Sequence, residues 1–323
     1  MKSSLYCELT SKELSDIMQS ALRTSIDSAR LLTGGLFNTT YLVDTTDGNR
    51  VVLRAGPVNR HLLMPFEHRL METEEHVYRL CSAQQIPVSQ VLAIDTSKKR
   101  IDRDIMIVRY IPSKPMNETN LDKSDKVRIS RDIGEAVAKM HRITAQRFGR
   151  ITDVTAGGGF SHWSECLKDE LRQWEKVAVP TGLYSETEHL KIRTIFDRAT
   201  PLLDEIHIPC LIHTDLWAGN LLISNRPPHP EFAAIIDADR ALWGDPDFEF
   251  SSIQWMLEYD TFWEGYGRRL SQDVTHRTRR DVYHLLFCLW NSYVYWQEYN
   301  NLEEADAERA VARELIAGLI QAV

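Results

Sequence analysis

Two apolar runs, each ending in a polar cluster, constrain this chain more than anything else in it. Leu211-Ile212 leads into His213-Thr214-Asp215, and Leu216-Trp217-Ala218-Gly219-Asn220 follows before the apolar Leu221-Leu222-Ile223. Asn220 thus stands five residues after Asp215. Seventeen residues beyond Asn220, Ile235-Ile236 leads into Asp237-Ala238-Asp239, and Gly244-Asp245-Pro246 comes soon after. Each run reads as a short buried strand. The acids are therefore expected at the ends of rigid elements.

That spacing has a chemical meaning. Phosphoryl transfer asks for a carboxylate to orient a hydroxyl and take its proton, oxygen ligands for a divalent cation, and donors that steady the phosphate charge. Asp215 suits the first role, and Asn220 with Asp237 suit the second, because Mg²⁺ takes hard oxygen ligands and keeps several waters. A metal-dependent hydrolase built on His213, Asp215 and Asp237 would need more ligands than the neighbouring sequence offers. The bland alternative is a set of strand-end caps and turns. His213 is read as a structural residue that bonds backbone and shapes the loop, and Asp245 as a carboxylate that locks its own loop.

The rest of the chain reads as α+β. A helix opens at Thr10, where Glu13 completes the capping-box spacing and Leu14, Ile17, Met18 and Leu22 share a face. Strands are expected at Thr40–Asp44 and Arg50–Arg54 around a Thr-Asp-Gly turn, then at Gln90–Asp95 and Asp104–Ile111. A helix is expected over 67–84. The remainder is mainly helical, with Ile129, Ile133, Val137 and Met140 on one buried face and short strands at 221–224 and 232–236. Gly157-Gly158-Gly159 reads as a flexible loop. The division that results is a small sheet lobe over 1–112 and a helical lobe over 113–323.

HTDLWAGNLLI followed by IIDADRALWGDP resembles the catalytic and metal loops of the aminoglycoside phosphotransferase and choline kinase-like family. The resemblance implies a two-lobed, protein-kinase-like fold that uses ATP or GTP with Mg²⁺. It implies a nucleotide-covering loop at Gly34, Gly35 and Asn38, a phosphate-binding cation at Arg54 and its acidic partner at Glu74. It also implies a hinge where the backbone of Arg109 and Ile111 meets the adenine. Arg54 stands where protein kinases and many antibiotic kinases carry Lys; arginine keeps the charge but forks differently. Asp239, Glu258, Asp260, Glu264 and Trp263 are candidate acceptor contacts, set against the plainer reading of solvated acids and core aromatics.

The implied activity is transfer of a γ-phosphoryl group to a hydroxyl of a small molecule. The first acceptor expected is an antibiotic of the aminoglycoside, peptide or nucleoside kind; the second is choline, an amino alcohol or a sugar. A nucleotide-binding pseudokinase is the reading from another class, opposed by the intact Asp215, Asn220 and Asp237.

Composition bounds the partners. A net charge of −8 over 323 residues argues against a broad nucleic-acid surface and tolerates a cationic acceptor. Cys7, Cys81, Cys166, Cys210 and Cys288 are scattered and odd in number, which fits free thiols. No apolar run approaches the ~20 residues of a membrane span. A cytoplasmic location is the expectation, and oligomeric state is not legible.

Overall fold

The computed structural model describes residues 3–32, 35–225, 229–251 and 258–323. Gly34 and Trp255 lie outside the described residues.

The chain opens with α1 (Ser11–Leu22), whose N-cap Thr10 forms the expected capping box with Glu13. Five antiparallel strands follow: β1 (Ile26–Leu32), β2 (Thr39–Thr45), β3 (Arg50–Ala55), β4 (Val91–Asp95) and β5 (Ile105–Arg109), in sheet order β1-β2-β3-β5-β4. The two-residue period of a strand decides what each face does. Val51, Leu53 and Ala55 point one way and join Leu14, Ile17 and Met18 of α1 in a core. Val52 points the other way and packs with Met71, Met106 and Val108. Arg54 shares the Val52 face, so strand alternation alone delivers it to α2 (Leu70–Ala83).

Two expectations change here. β1 is a strand that sequence reading missed, because it lies at the sheet edge with four successive exposed residues and no alternation. The helix expected over 67–84 is split: Pro65–Arg69 is a 3₁₀ turn, and α2 begins at Leu70.

The larger part is mainly helical. It holds β6 (Lys114–Pro115), α3 (Lys123–Met140), β7 (Gly149–Arg150), α4 (Ile151–Thr155), α5 (Trp163–Ala178), α6 (Glu186–Arg198) and α7 (Thr200–Leu203). Then come β8 (Cys210–Ile212), β9 (Leu221–Ser224), β10 (Glu231–Ile235), β11 (Leu242–Gly244) and α8 (Pro246–Glu249). α9 (Asp260–Tyr266), α10 (Val274–Tyr293) and α11 (Leu302–Ala322) complete it, with a π-helical turn, Val294–Glu298, between the last two. Two three-stranded sheets, β10-β9-β6 and β7-β11-β8, flank the motif residues.

The triglycine is no slack loop. The Phe148 and Phe160 backbones bridge across it, and Gly159 has φ +88°. A Cβ there would sit 2.8 Å from the Phe148 carbonyl oxygen. Glycine is required by the close approach.

The start of the chain joins the two parts. The Ser4 N–H and Ser3 hydroxyl donate to the Glu298 carbonyl at 2.9 and 3.1 Å, while Val58 N–H donates to Leu5 C=O at 3.0 Å. Leu5 between them is fully buried. All five cysteines are free thiols, and no described helix is long and apolar enough to cross a membrane.

Candidate active site

β8 delivers His213, Thr214 and Asp215, and the hairpin of β9 and β10 returns the chain to Asp237. One imidazole ties the two ends together. His213 Nε2 lies 2.9 Å from the Ile236 carbonyl, and Asp215 N–H donates to His213 Nδ1 at 3.2 Å. Those partners require the neutral ring protonated on Nε2. Burial agrees, holding the His213 pKa below its ordinary value. Underneath, Glu249 is fully buried and accepts from the N–H groups of His213 (2.6 Å) and Thr214 (2.9 Å).

Two residues here hold left-handed backbone despite carrying side chains: Thr214 at φ 70° and Asp237 at φ 64°. Such geometry costs of order 1–3 kcal/mol and persists only where neighbours impose it. Glu249 and the Thr214 hydroxyl, which donates to Arg240 C=O at 3.0 Å, impose it on the first. Tyr78 restrains the second by accepting from Asp237 N–H at 3.0 Å.

Asp215 and Asn220 meet directly. The Asn220 amide nitrogen donates to Asp215 Oδ2 at 2.9 Å and to its carbonyl at 2.8 Å. This turns the Asn220 Oδ1 away as the atom available for a ligand. Burial pushes the Asp215 carboxyl up to about 7; Arg240 opposes that rise and Asp237 adds to it.

Arg54 forks between two acids, Glu74 and Asp237, and Asp239 lies 4.0 Å away. Glu74 is fully buried and also accepts from the Tyr78 hydroxyl at 2.5 Å. Tyr78 therefore bridges Glu74 and Asp237. Sequence reading passed over it, although its place four residues after Glu74 puts both on one helix face. Carboxylate oxygens of Glu74, Asp237 and Asp239 lie within 4.8 Å of one another. Hard, anionic donors at that spacing fit a cation such as Mg²⁺.

The remaining candidates fall elsewhere or play visible structural parts. Asn38 is buried, and its Oδ1 has no partner among the described residues. Gly35 is described, with Asn38 C=O 3.5 Å from the position of an added Cβ. At the hinge, Arg109 N–H donates to Gln90 C=O at 2.8 Å and its carbonyl accepts from Ser89 Oγ at 2.7 Å. Ile111 C=O accepts from Ser113 Oγ at 2.9 Å, which leaves the Ile111 N–H without a partner among the described residues.

Asp245 caps α8 through Asp247 N–H (3.0 Å) and accepts from Tyr283 OH (2.8 Å), locking its loop. Glu264 pairs with Arg131 across the α3–α9 surface and Asp260 with Arg269 just beyond α9, so neither pair reaches the loop of Asp215. Glu258 is exposed, and Trp263 is buried among Phe250, Phe262 and Tyr266.

Trp217 was not singled out from sequence, yet it faces outward. Its residue is 48% exposed, two positions after Asp215. A Cβ on Gly219 would fall 2.2 Å from the Trp217 ring, so the indole lies flat against that glycine.

Together, a small five-stranded sheet, a mainly helical body and paired acid loops between them define a protein-kinase-like small-molecule phosphotransferase architecture. Residues 28–283 match the profile of the phosphotransferase enzyme family, and the chain belongs to that family. Among relatives, a protein-ribulosamine 3-kinase of Arabidopsis thaliana is 27% identical over 174 residues, covering 50% of this chain and 51% of the relative. The chain thus spans about half the length of that relative. A protein of Vibrio cholerae named a probable ketoamine kinase is 23% identical over 230 residues, covering 67% and 71%. Among solved structures, aminoglycoside phosphotransferase APH(4)-Ia, in a ternary complex with AMP-PNP and hygromycin B, superposes with a TM-score of 0.65. It is 16% identical and covers 96% of this chain and 98% of its own, a likeness that establishes the fold.

Proposed function

We propose that this protein transfers the γ-phosphoryl group of ATP or GTP to a hydroxyl of a small sugar-derived acceptor, with the ketoamines first among the candidates. The observation that carries the chemistry is the convergence of Asp215, Asn220 and Asp237 on adjoining strand ends, with Arg54 reaching Asp237 from the sheet. Asp215 orients the acceptor hydroxyl and takes its proton as the oxygen attacks the γ-phosphorus. The bond from that phosphorus to the bridging oxygen breaks, and the nucleoside diphosphate leaves. Arg54 steadies phosphate oxygens, and Glu74 fixes Arg54. Asn220 and Asp237 would hold Mg²⁺, with Asp239 beside them; the ion supplies positive charge against the phosphates. The glycine-loop residues from Gly35 to Asn38 would cover the phosphates, and the backbone at Arg109 and Ile111 would receive the base.

The acceptor is argued from two sides. Curated relatives carry ketoamine and ribulosamine kinase names, which moves the metabolic reading ahead of the antibiotic one that came first from sequence. The exposed Trp217 face beside Asp215 suits a sugar ring better than a bare ammonium head. The antibiotic reading stands second, since structures of the same fold are bound to hygromycin B or streptomycin.

The test is nucleotide turnover with Mg²⁺ against ketoamines, aminoglycosides, choline and amino alcohols, with mass spectrometry of each product. A ketoamine heavier by one phosphoryl group is expected, and Asp215→Asn should lower that turnover by roughly 10²–10⁴-fold. Near-normal turnover in the variant would remove Asp215 from the mechanism. Nucleotide binding with no acceptor phosphorylated would favour the pseudokinase.

A further inference from the structure

We propose that Arg240 is a positioning residue of the phosphotransfer site, held in place by a buried latch in which Glu67 bonds the guanidinium and Glu298 lies beside it. The inference rests on the phosphotransferase reading of Asp215 and Asp237, and it concerns residues that reading leaves unused. Arg240 closes the 3₁₀ turn Ala238–Arg240 that follows Asp237 directly. Its carbonyl accepts from the Thr214 hydroxyl at 3.0 Å and from Arg150 Nη1 at 2.9 Å. One residue thus grips both loops whose left-handed backbones must be imposed from outside.

The side chain of Arg240 points to the other part of the molecule. It bonds Glu67 Oε1 at 2.6 Å, and the Glu67 side chain is fully buried. Glu67 Oε2 accepts from Met64 N–H at 3.0 Å. Glu67 lies in the turn that leads into α2, the helix carrying Glu74, so the same latch sets the helix that orients Arg54. Phe66 beside it is held over the Arg150 guanidinium, 3.7 Å from the ring centre, and Tyr293 OH donates to Leu62 C=O at 2.9 Å. The segment is pinned along its length.

Glu298 completes the arrangement from the π-helical turn, a geometry that recurs at functional sites. It is fully buried, and neither carboxyl oxygen has a well-formed bond among the described residues. Among the described residues, Glu67, Arg240, Tyr293 and Tyr299 are the titratable and charged groups around it. Arg150, the other nearby cation, is committed to Glu170 through bonds of 2.7 and 2.5 Å. Two buried carboxyls therefore lie near one guanidinium, which is paired with Glu67. A second uncompensated negative charge there is costly, so one proton stays with the pair. Glu67 has the cation and a backbone N–H, which leaves the proton on Glu298. Burial and the Glu67 charge raise the Glu298 carboxyl well above its usual range.

The full-length chain with Glu67→Gln, Arg240→Met or Glu298→Gln tests this. Glu67→Gln should lower kcat about tenfold while nucleotide KM moves less than about threefold, a loss confined to the transition state. Amide exchange over residues 213–220 should quicken in the same variant. Adding Arg240→Met should cost little more, as expected of two residues acting as one unit. Glu298→Gln, which copies the protonated acid, should keep wild-type kcat near neutrality and lose the alkaline fall that deprotonation causes in the wild type.

Unchanged exchange over 213–220 in Glu67→Gln, or fully additive effects of the two substitutions, would overturn the latch. So would an alkaline fall retained in Glu298→Gln. If Glu67→Gln does not fold, Arg240→Lys carries the same exchange measurement. If the wild type transfers no phosphoryl group, the exchange result still decides the latch, and only the kinase reading falls.

Discussion

Trp217 and Gly219 act as a single unit in this site. With the indole resting where a Cβ would be, Gly219→Ala must displace either the ring or the loop that carries Asn220. The expected result is a rise in acceptor KM of at least about tenfold, in line with loss of one stacked contact worth roughly 1–2 kcal/mol. Nucleotide affinity, measured by titration calorimetry, should hold. A loss in nucleotide affinity alone would place the indole outside the acceptor site. Arg54 makes a related point about geometry. Its two ion pairs go to acids on different elements, α2 and the loop after β10, and a lysine's single nitrogen lacks the planar fork that spans them.

At the scale of elements, α3 and α9 approach each other closely. A Cβ on Gly134 would lie 2.2 Å from the Phe262 carbonyl oxygen, and one on Gly265 would lie 2.1 Å from that of Arg131. The helices meet backbone to backbone. Gly265→Ala should destabilise the fold by at least about 1–3 kcal/mol despite alanine's better helix propensity, as overpacking does. Denaturant unfolding measures this; a stabilised variant would show that the helices separate freely.

The same scale explains what the sequence made legible. β8, β9 and β10 were readable because buried strands are short apolar runs, and the acids at their ends followed from spacing. Arg54 and Glu74 were paired by resemblance, and alternation along β3 accounts for the geometry. β1 was illegible because an exposed edge strand carries no apolar period. Glu67 and Glu298 were illegible for another reason. They are 231 positions apart, and nothing local marks an acid whose partner is supplied by distant packing.

For the whole molecule, the site has a thermodynamic signature. The Asp215 carboxyl is raised to about 7 by burial, above the ~3.9 of an unfolded aspartate. A carboxyl shifted upward contributes stability below its unfolded pKa and loses it as pH rises through its folded value. Asp215→Asn should therefore melt at a higher temperature than the wild type at pH 8, with the difference vanishing near pH 4. Equal melting temperatures at both pH values would mean that burial places no strain on the ionised acid.

The start of the chain adds a consequence of its own. Ser3 and Ser4 hold the carbonyl of Glu298 while Leu5 accepts from Val58 in the loop after β3, which joins sheet and helical body. A short segment that bonds to both parts at once acts as a pin: the two cannot separate there without breaking these bonds.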